Sequence, residues 1–291
     1  MPTTGLFSMA AARYHSAMNF SKTALSAISI VAALLLSGCG GGSGSDDGAE
    51  SYDFAPDTVV NGAAVDGPLL FADVAVYRLD LTAENLRTGA ALATGTTNDQ
   101  ARIIDLTISG NDIGTGPFLI EFTCDNGCED SATGAAPVIG TLRSVISAEQ
   151  LIAGDNAVYA TALSTLALEL AHQYLLDNSN LSNDAALLAA QRAVRNVYGF
   201  DLLGSATDAI DLFTTAPLPT TGADQQQSLN YFIAAEVFTA IINNIKTSDA
   251  TATAADTLEM LIIKLAQDLS DGVIDSEKNN TPLPRLTASL I

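Results

Sequence analysis

The sequence predicts an α+β protein in two domains, an N-terminal antiparallel β-sandwich followed by a C-terminal α-helical bundle. Two patterns and one bulk property predict it. Between about Val59 and Thr123, short runs of branched and aromatic residues alternate with Gly, Pro and Asp turns. Past Pro137 the apolar residues recur every three and four positions instead. A hydrophobic content of 48% over 291 residues is enough for a sizeable core. The expected divisions are an export signal over 1–38, a linker over 39–56, the sandwich over 57–136 and the helical domain over 137–291.

The front of the chain is an address rather than part of the fold. Lys22 supplies a positive charge, Ala24 to Leu36 an apolar stretch, and Ser37 and Gly38 the small residues a signal peptidase needs. The stretch is about 13 residues long, against the roughly 20 needed to span a hydrocarbon core of about 30 Å. Met18 would begin a compact signal of its own. Leu36-Ser37-Gly38-Cys39 resembles the lipobox of bacterial lipoproteins. That resemblance implies cleavage before Cys39, acylation of its thiol and amine, and anchoring in a membrane. With Gly40 rather than aspartate next, it implies the outer membrane of a Gram-negative envelope. Gly40 to Glu50, rich in glycine, serine and acid, reads as a solvated spacer.

Three segments carry the strand pattern: Val74 to Leu79, Ile103 to Ile108, and Phe118 to Thr123, where Phe118, Ile120 and Phe122 alternate with Leu119, Glu121 and Thr123. Turns fall at Asp66-Gly67-Pro68, Gly95 to Asp99 and Gly114 to Pro117. Val65-Asp66-Gly67-Pro68-Leu69, followed by Ala72-Asp73-Val74-Ala75-Val76-Tyr77, is similar to the opening of carboxypeptidase-regulatory-like domains. Those are transthyretin-like sandwiches that serve as non-catalytic supports or binding modules. Their second signature, Thr-Asp-x-x-Gly, is matched imperfectly by Thr97-Asn98-Asp99-Gln100-Ala101, with alanine where the glycine belongs.

Cys124 and Cys128 form an even pair in an exported chain, which predicts a short disulfide. Asp125, Glu129 and Asp130 around it are candidate calcium ligands, against the plainer reading of a staple at a strand end. Zinc is a poor fit, because two cysteines need two further ligands and His172 is the one histidine past the signal.

The helical half begins with Ser147 and Gln150 at capping-box spacing. Leu163, Leu166, Leu170 and Tyr174 mark a helix over about 156–176. Leu187, Ala190, Val194 and Val197 mark a second, started by Ser182 or Asn183 and stopped by Gly199. A third, over about 224–246, is apolar nearly all round and is expected at the centre of the bundle. Asp256 and Glu259 are expected to cap a fourth, with Gly272 beyond its end. Tyr159 to Ala167 also resembles a Thr-Pro-Leu-Thr-Thr-Leu stretch of uncharacterised exported bacterial lipoproteins, with Ala162 in place of the proline.

Charge and motifs narrow the function classes. With 33 acidic and 12 basic residues the formal net charge is −21, a field that repels nucleic acid and anionic bilayers. No Gly-x-Ser-x-Gly turn, phosphate-cradling loop or His-Glu-x-x-His is present. His172 lacks a recognisable nucleophile, and the dense acids Asp268, Asp271, Asp275 and Glu277 miss the register of a calcium loop. No cofactor is implied. The expectation is a membrane-anchored envelope lipoprotein with a non-catalytic binding or scaffolding role toward an envelope protein or glycan. A glycan hydrolase using paired carboxylates and a calcium-stabilised adhesin-like module are the alternatives.

Overall fold

The computed structural model describes residues 56–125, 127–204, 210–217, 225–248, 257–283 and 286. Leu36, Ser37, Gly38 and Cys39 lie outside the described residues, as does the linker that follows them. The chain enters through β1 (Thr58–Val59) and β2 (Asn61–Val65), turns into β3 (Leu69–Leu70), and forms a long hairpin from β4 (Asp73–Leu79) and β5 (Arg87–Thr97). Then come β6 (Ile103–Ile104), β7 (Thr107–Ile108), the single turn α1 (Gly110–Ile113), β8 (Phe118–Thr123) and β9 (Glu129–Asp130). β10 (Thr141–Ile146), α2 (Ala148–Ala153) and β11 (Ala157–Thr161) lead into α3 (Ala162–Asp177). The remainder is α4 (Asn183–Tyr198), α5 (Gln225–Ser248), α6 (Leu258–Leu269) and a closing hairpin of β12 (Glu277–Lys278) and β13 (Thr281–Pro282).

Seven strands form one mixed sheet in the order β2-β11-β10-β8-β4-β5-β6. All its pairings are antiparallel except β11 with β2. The register stacks the alternating apolar residues into rows: Val74 lies beside Phe122 and Phe122 beside Leu142, Val76 beside Ile120, and Phe118 beside Ile146. All of these are buried, so this face forms the core that period-two alternation requires. β1 pairs with β7, and the Val60 amide donates to Leu106 O at 2.9 Å. These bonds bring the two ends of the sheet together, leaving it nearly closed.

An antiparallel sandwich followed by a separate helical bundle is therefore not what forms. Residues 141–161, expected to open the helical half, instead supply β10 and β11. β10 occupies the edge of β8 along its whole length, and β11 bridges to β2 in parallel. The sheet and the helices share one buried cluster within the unit Tyr52–Ile291. The segment Ala157 to Thr161 is only five residues long and runs directly into a helix, so it merges with the helical pattern. Its partner, β2, lies almost a hundred residues earlier in the chain, and no local signal announces that pairing.

Helix ends follow their caps closely. Ser147 and Gln150 form a reciprocal capping box, with Gln150 N donating to Ser147 Oγ at 3.1 Å and Ser147 N to Gln150 Oε1 at 2.9 Å. Ser182 caps α4 and Gly199 ends it. At α6 the cap is Thr257 rather than Asp256, and Glu259 is turned to another use described below. The central helix is α3, buried along nearly its whole length between the sheet and α4 and α6. α5 is not central: Leu229, Ile233, Val237 and Ile241 remain on its exposed side. Ala101, at the position where the resembled family carries glycine, has φ +56°, a left-handed conformation that alanine adopts at a cost.

Gly62 is where β2 meets β11. Its φ is +135°, and a Cβ built there would lie 1.7 Å from Val158 O. Substituting Gly62→Ala is expected to break the parallel pairing and cost at least about 2 kcal/mol. Denaturant unfolding checks this; a midpoint equal to wild type contradicts the close approach.

Candidate functional site

The outward face of the sheet carries its charges in a line. Tyr77, Arg87, Glu121 and Arg143 project from β4, β5, β8 and β10, opposite to the buried rows. Arg87 Nη1 donates to Glu121 Oε1 at 2.8 Å, and Arg143 Nε to Glu121 Oε2 at 3.0 Å. Arg143 Nη1 continues the line to Glu169 Oε1 of α3 at 2.9 Å. The Arg87 guanidinium carbon sits 4.0 Å above the Tyr77 ring, closing the far end. The side chains run from partly exposed at Arg87 (28%) to nearly dry at Glu169 (4%).

α3 is seated on that line by residues at helical spacing. Thr165 Oγ1 accepts from Arg143 N at 2.9 Å, Glu169 takes the guanidinium, and His172 Nδ1 donates to Leu81 O at 2.7 Å. These three positions fall at i, i+4 and i+7, one face of the helix. Burial pushes the Glu169 carboxyl above its ordinary value, and Arg143 only partly holds it down. His172, the histidine weighed as a catalytic base, is buried and serves this seat.

Beside the line lies an open groove of about 510 Å³, lined by Asp73, Tyr77, Thr94, Thr96, Glu121 and Asp125 among others. Asp105, from the loop after β6, also lines it. The groove offers carboxylate and hydroxyl oxygens on one polar face, chemistry that accepts hydrogen bonds from ammonium, guanidinium or sugar hydroxyl groups. Glu121 cannot act freely in it, because both of its oxygens are held by arginines.

The sequence-derived residues are placed as follows. Cys124 and Cys128 are joined in a disulfide, with Cα atoms 5.3 Å apart, in the connection between β8 and β9. Asp125 lines the groove, whereas Glu129 and Asp130 are successive residues of β9 and face opposite sides. Asp130 is buried, and its carboxylate accepts from Ala132 N at 2.7 Å and Thr133 Oγ1 at 3.0 Å. The three candidate calcium ligands are thus not brought together, and no group of three metal-ligating side chains converges among the described residues. Asp268 is buried and accepts from Asp275 N and Ser276 N at 3.1 and 2.9 Å, which organises the turn after α6.

Sequence reasoning missed the line of charges. Its signal was present as single charges of opposite sign inside apolar elements: Glu121 in Phe118 to Phe122, Arg143 in Leu142 to Ile146, and Glu169 between Leu168 and Leu170.

A second carboxylate group surrounds the Asp66-Gly67 turn. Glu236 of α5 accepts from Gly67 N at 2.8 Å, and Asp66 Oδ2 accepts from Ile139 N at 3.0 Å. Burial, helped by the neighbouring charges of Glu236 and Asp130, pushes Asp66 up from 3.8 to about 6, against the lowering effect of its bonds to Ile139 and Thr239. Neither Asp66, Glu169 nor Asp268, the acids raised by burial, lines the groove. Because the folded value lies above the unfolded one, the ionised form is penalised in the native state. That penalty, about 3 kcal/mol at most, is complete above about pH 6 and is relieved as the pH falls toward 4. Asp66→Asn keeps an acceptor for Ile139 and is expected to stabilise the protein by up to about 3 kcal/mol at pH 7, with the gain vanishing near pH 4. Denaturant melts of both proteins across that range check it; a gain independent of pH contradicts the buried charge.

No protein-family model and no curated protein matches this chain. Among solved structures, it is similar to (S)-allantoin synthase at 16% identity over 36% of this chain and 39% of that one, with a TM-score of 0.24. The match thus spans well under half of either chain, and a likeness of that size carries neither a fold nor a functional argument.

Proposed function

We propose that this protein is a lipid-anchored component of the bacterial envelope, tethered to the outer membrane through Cys39, with a non-catalytic binding or scaffolding body. The observation that carries the reading is Leu36-Ser37-Gly38-Cys39 at the end of the charged and apolar lead, followed directly by a glycine and serine spacer. Acyl chains on Cys39 would hold the protein firmly, since each buried CH₂ contributes about 0.8 kcal/mol. Among the described residues, no helix is long and apolar enough to cross a membrane.

The body supports the non-catalytic half of the reading through the way its reactive side chains are engaged. His172, Glu169, Arg143 and Glu121 bind one another or the backbone. The groove beside them suits a partner rich in hydrogen-bond donors, such as an envelope glycan or the basic surface of another envelope protein. Its free acids, Asp73, Asp105 and Asp125, are what a carboxylate-dependent hydrolase would have to use.

Expressed in a Gram-negative host with labelled palmitate, wild type is expected to incorporate label and fractionate with the outer membrane. Cys39→Ala is expected to incorporate none. Unlabelled wild type, or label retained by the variant, contradicts the anchor. Turnover of a glycan substrate panel that is abolished by Asp73→Asn or Asp125→Asn contradicts the non-catalytic body.

A further inference from the structure

α4 turns one stripe of its surface toward a small pocket of about 160 Å³. Asp184, Leu187, Leu188 and Gln191 line it, and they fall at i, i+3, i+4 and i+7 of the helix. Gln191 is only 7% exposed, and its Oε1 accepts from Leu212 N at 2.8 Å, which fixes the direction of the side-chain amide. Its Nε2 has no hydrogen-bond partner among the described residues. No fully buried side-chain nitrogen or oxygen of those residues is left unpaired, so Nε2 opens onto the pocket. A donor so placed is satisfied only by what enters. We propose that this pocket takes the N-acyl amide group of a 2-acetamido sugar.

Three features of the walls select that group. Gln191 Nε2 supplies a donor for a carbonyl oxygen. Asp211 supplies the acceptor that an amide N–H needs: its Oδ1 is held by Phe213 N and Thr214 N at 2.8 and 3.3 Å, which leaves Oδ2. Val145, Leu187 and Phe213, all buried, form the apolar wall against which a methyl group packs. A carboxylate ligand would be repelled by Asp184 and Asp211. An ammonium would satisfy the acids but set the Gln191 N–H against a group with no acceptor. A neutral group with an acceptor, a donor and an apolar end answers all three features.

The space next to it makes a sugar the bearer of that group. The pocket is smaller than the roughly 300 Å³ of sites that enclose a whole ligand, so it holds a substituent while the rest lies outside. Gln150 and Thr214 line both this pocket and a more open one of about 350 Å³, to which Asp155 and Asn156 also belong. Gln150 Oε1 is held by Ser147 N, and Asn156 Nδ2 donates to Val59 O. What remains is the Gln150 side-chain N–H as donor, with the Asn156 Oδ1 and the Asp155 carboxylate as acceptors. Ring hydroxyls, each both donor and acceptor, match such a mixed set. This inference rests on the binding role proposed for the body and is independent of the anchor.

Calorimetric titration of the full chain carrying Cys39→Ala, which removes the acyl anchor, with N-acetylglucosamine tests the proposal. One site is expected, with a dissociation constant on the order of 1 mM. Glucose lacks the acetamido group, and N-acetylalanine methylamide has the amide without ring hydroxyls; each is expected to bind at least about tenfold more weakly. Gln191→Glu keeps the acceptor for Leu212 N but removes the N–H, and is expected to weaken N-acetylglucosamine by at least about tenfold. Leu188 is an exposed residue of the rim, so Leu188→Trp obstructs the pocket without disturbing the core and is expected to abolish binding. No binding of N-acetylglucosamine, equal binding of glucose, or either variant behaving like the parent overturns the proposal. Tighter or equal binding of the methylamide would assign the pocket to an acylated peptide instead and overturn it equally. Palmitate labelling of Cys39 is untouched by any of these results, so this inference and the anchor fail separately.

Discussion

Arg143 is the residue through which the sheet holds α3. Its backbone N–H donates to Thr165 Oγ1, its carbonyl accepts from Ser164 Oγ, and its guanidinium joins Glu121 of the sheet to Glu169 of α3. β10 is paired with β8 at every residue, but with β11 only at Arg143 opposite Thr161. Side chains from the first turns of α3 thus occupy an edge that a longer β11 would have covered. A strand edge left unpaired inside a protein would cost several hydrogen bonds, and hydroxyls at Ser164 and Thr165 meet that requirement. The charges here define position more than they add net stability: burial still raises the Glu169 carboxyl despite its arginine, so the pair does not fully compensate its own desolvation.

Much of the acidity of this protein is structural. Glu259 Oε1 accepts from Gly140 N and Thr141 N at 2.6 and 3.0 Å, fastening α6 to the start of β10. Glu236 does the same for the Asp66 turn, Asp57 for Gly110 N, and Asp268 for the turn after α6. Each carboxylate satisfies loop amides that have no partner in the sheet or in a helix. Such charge-assisted bonds are stronger than neutral ones. The acidic composition, besides setting a field that repels nucleic acid and anionic bilayers, therefore also reflects how the connections are tied down.

What was legible in the sequence was local. Caps at Ser147, Ser182 and Gly199 placed helix boundaries because the bonds that end a helix lie within three or four residues of it. Alternation in Phe118 to Thr123 gave the buried face of β8 for the same reason. The arrangement of the sheet was not legible: β11 is five residues long and pairs with β2 across a long separation, so neither periodicity nor turn chemistry marks it. The third helix is expected in the centre because its apolar residues lie all round it, yet α3, which buries Glu169, His172 and Gln173 along with its leucines, is the helix that occupies the centre. Polar side chains that find partners across an interface read in sequence as solvent-facing. That is also why the charged line of the candidate site stayed hidden while its residues were in plain view.

Arg143 acts as the joint between the sheet and α3, and a double-mutant cycle of Arg143→Met and Glu169→Leu tests this directly. Arg143→Met leaves Glu169 buried without its partner, while Glu121 keeps Arg87, so the single variant is predicted to lose roughly 3 kcal/mol. The double variant replaces the pair by apolar groups and is predicted to recover most of that loss, with a coupling of at least about 2 kcal/mol. Single-variant effects that add to within about 0.5 kcal/mol would contradict the joint.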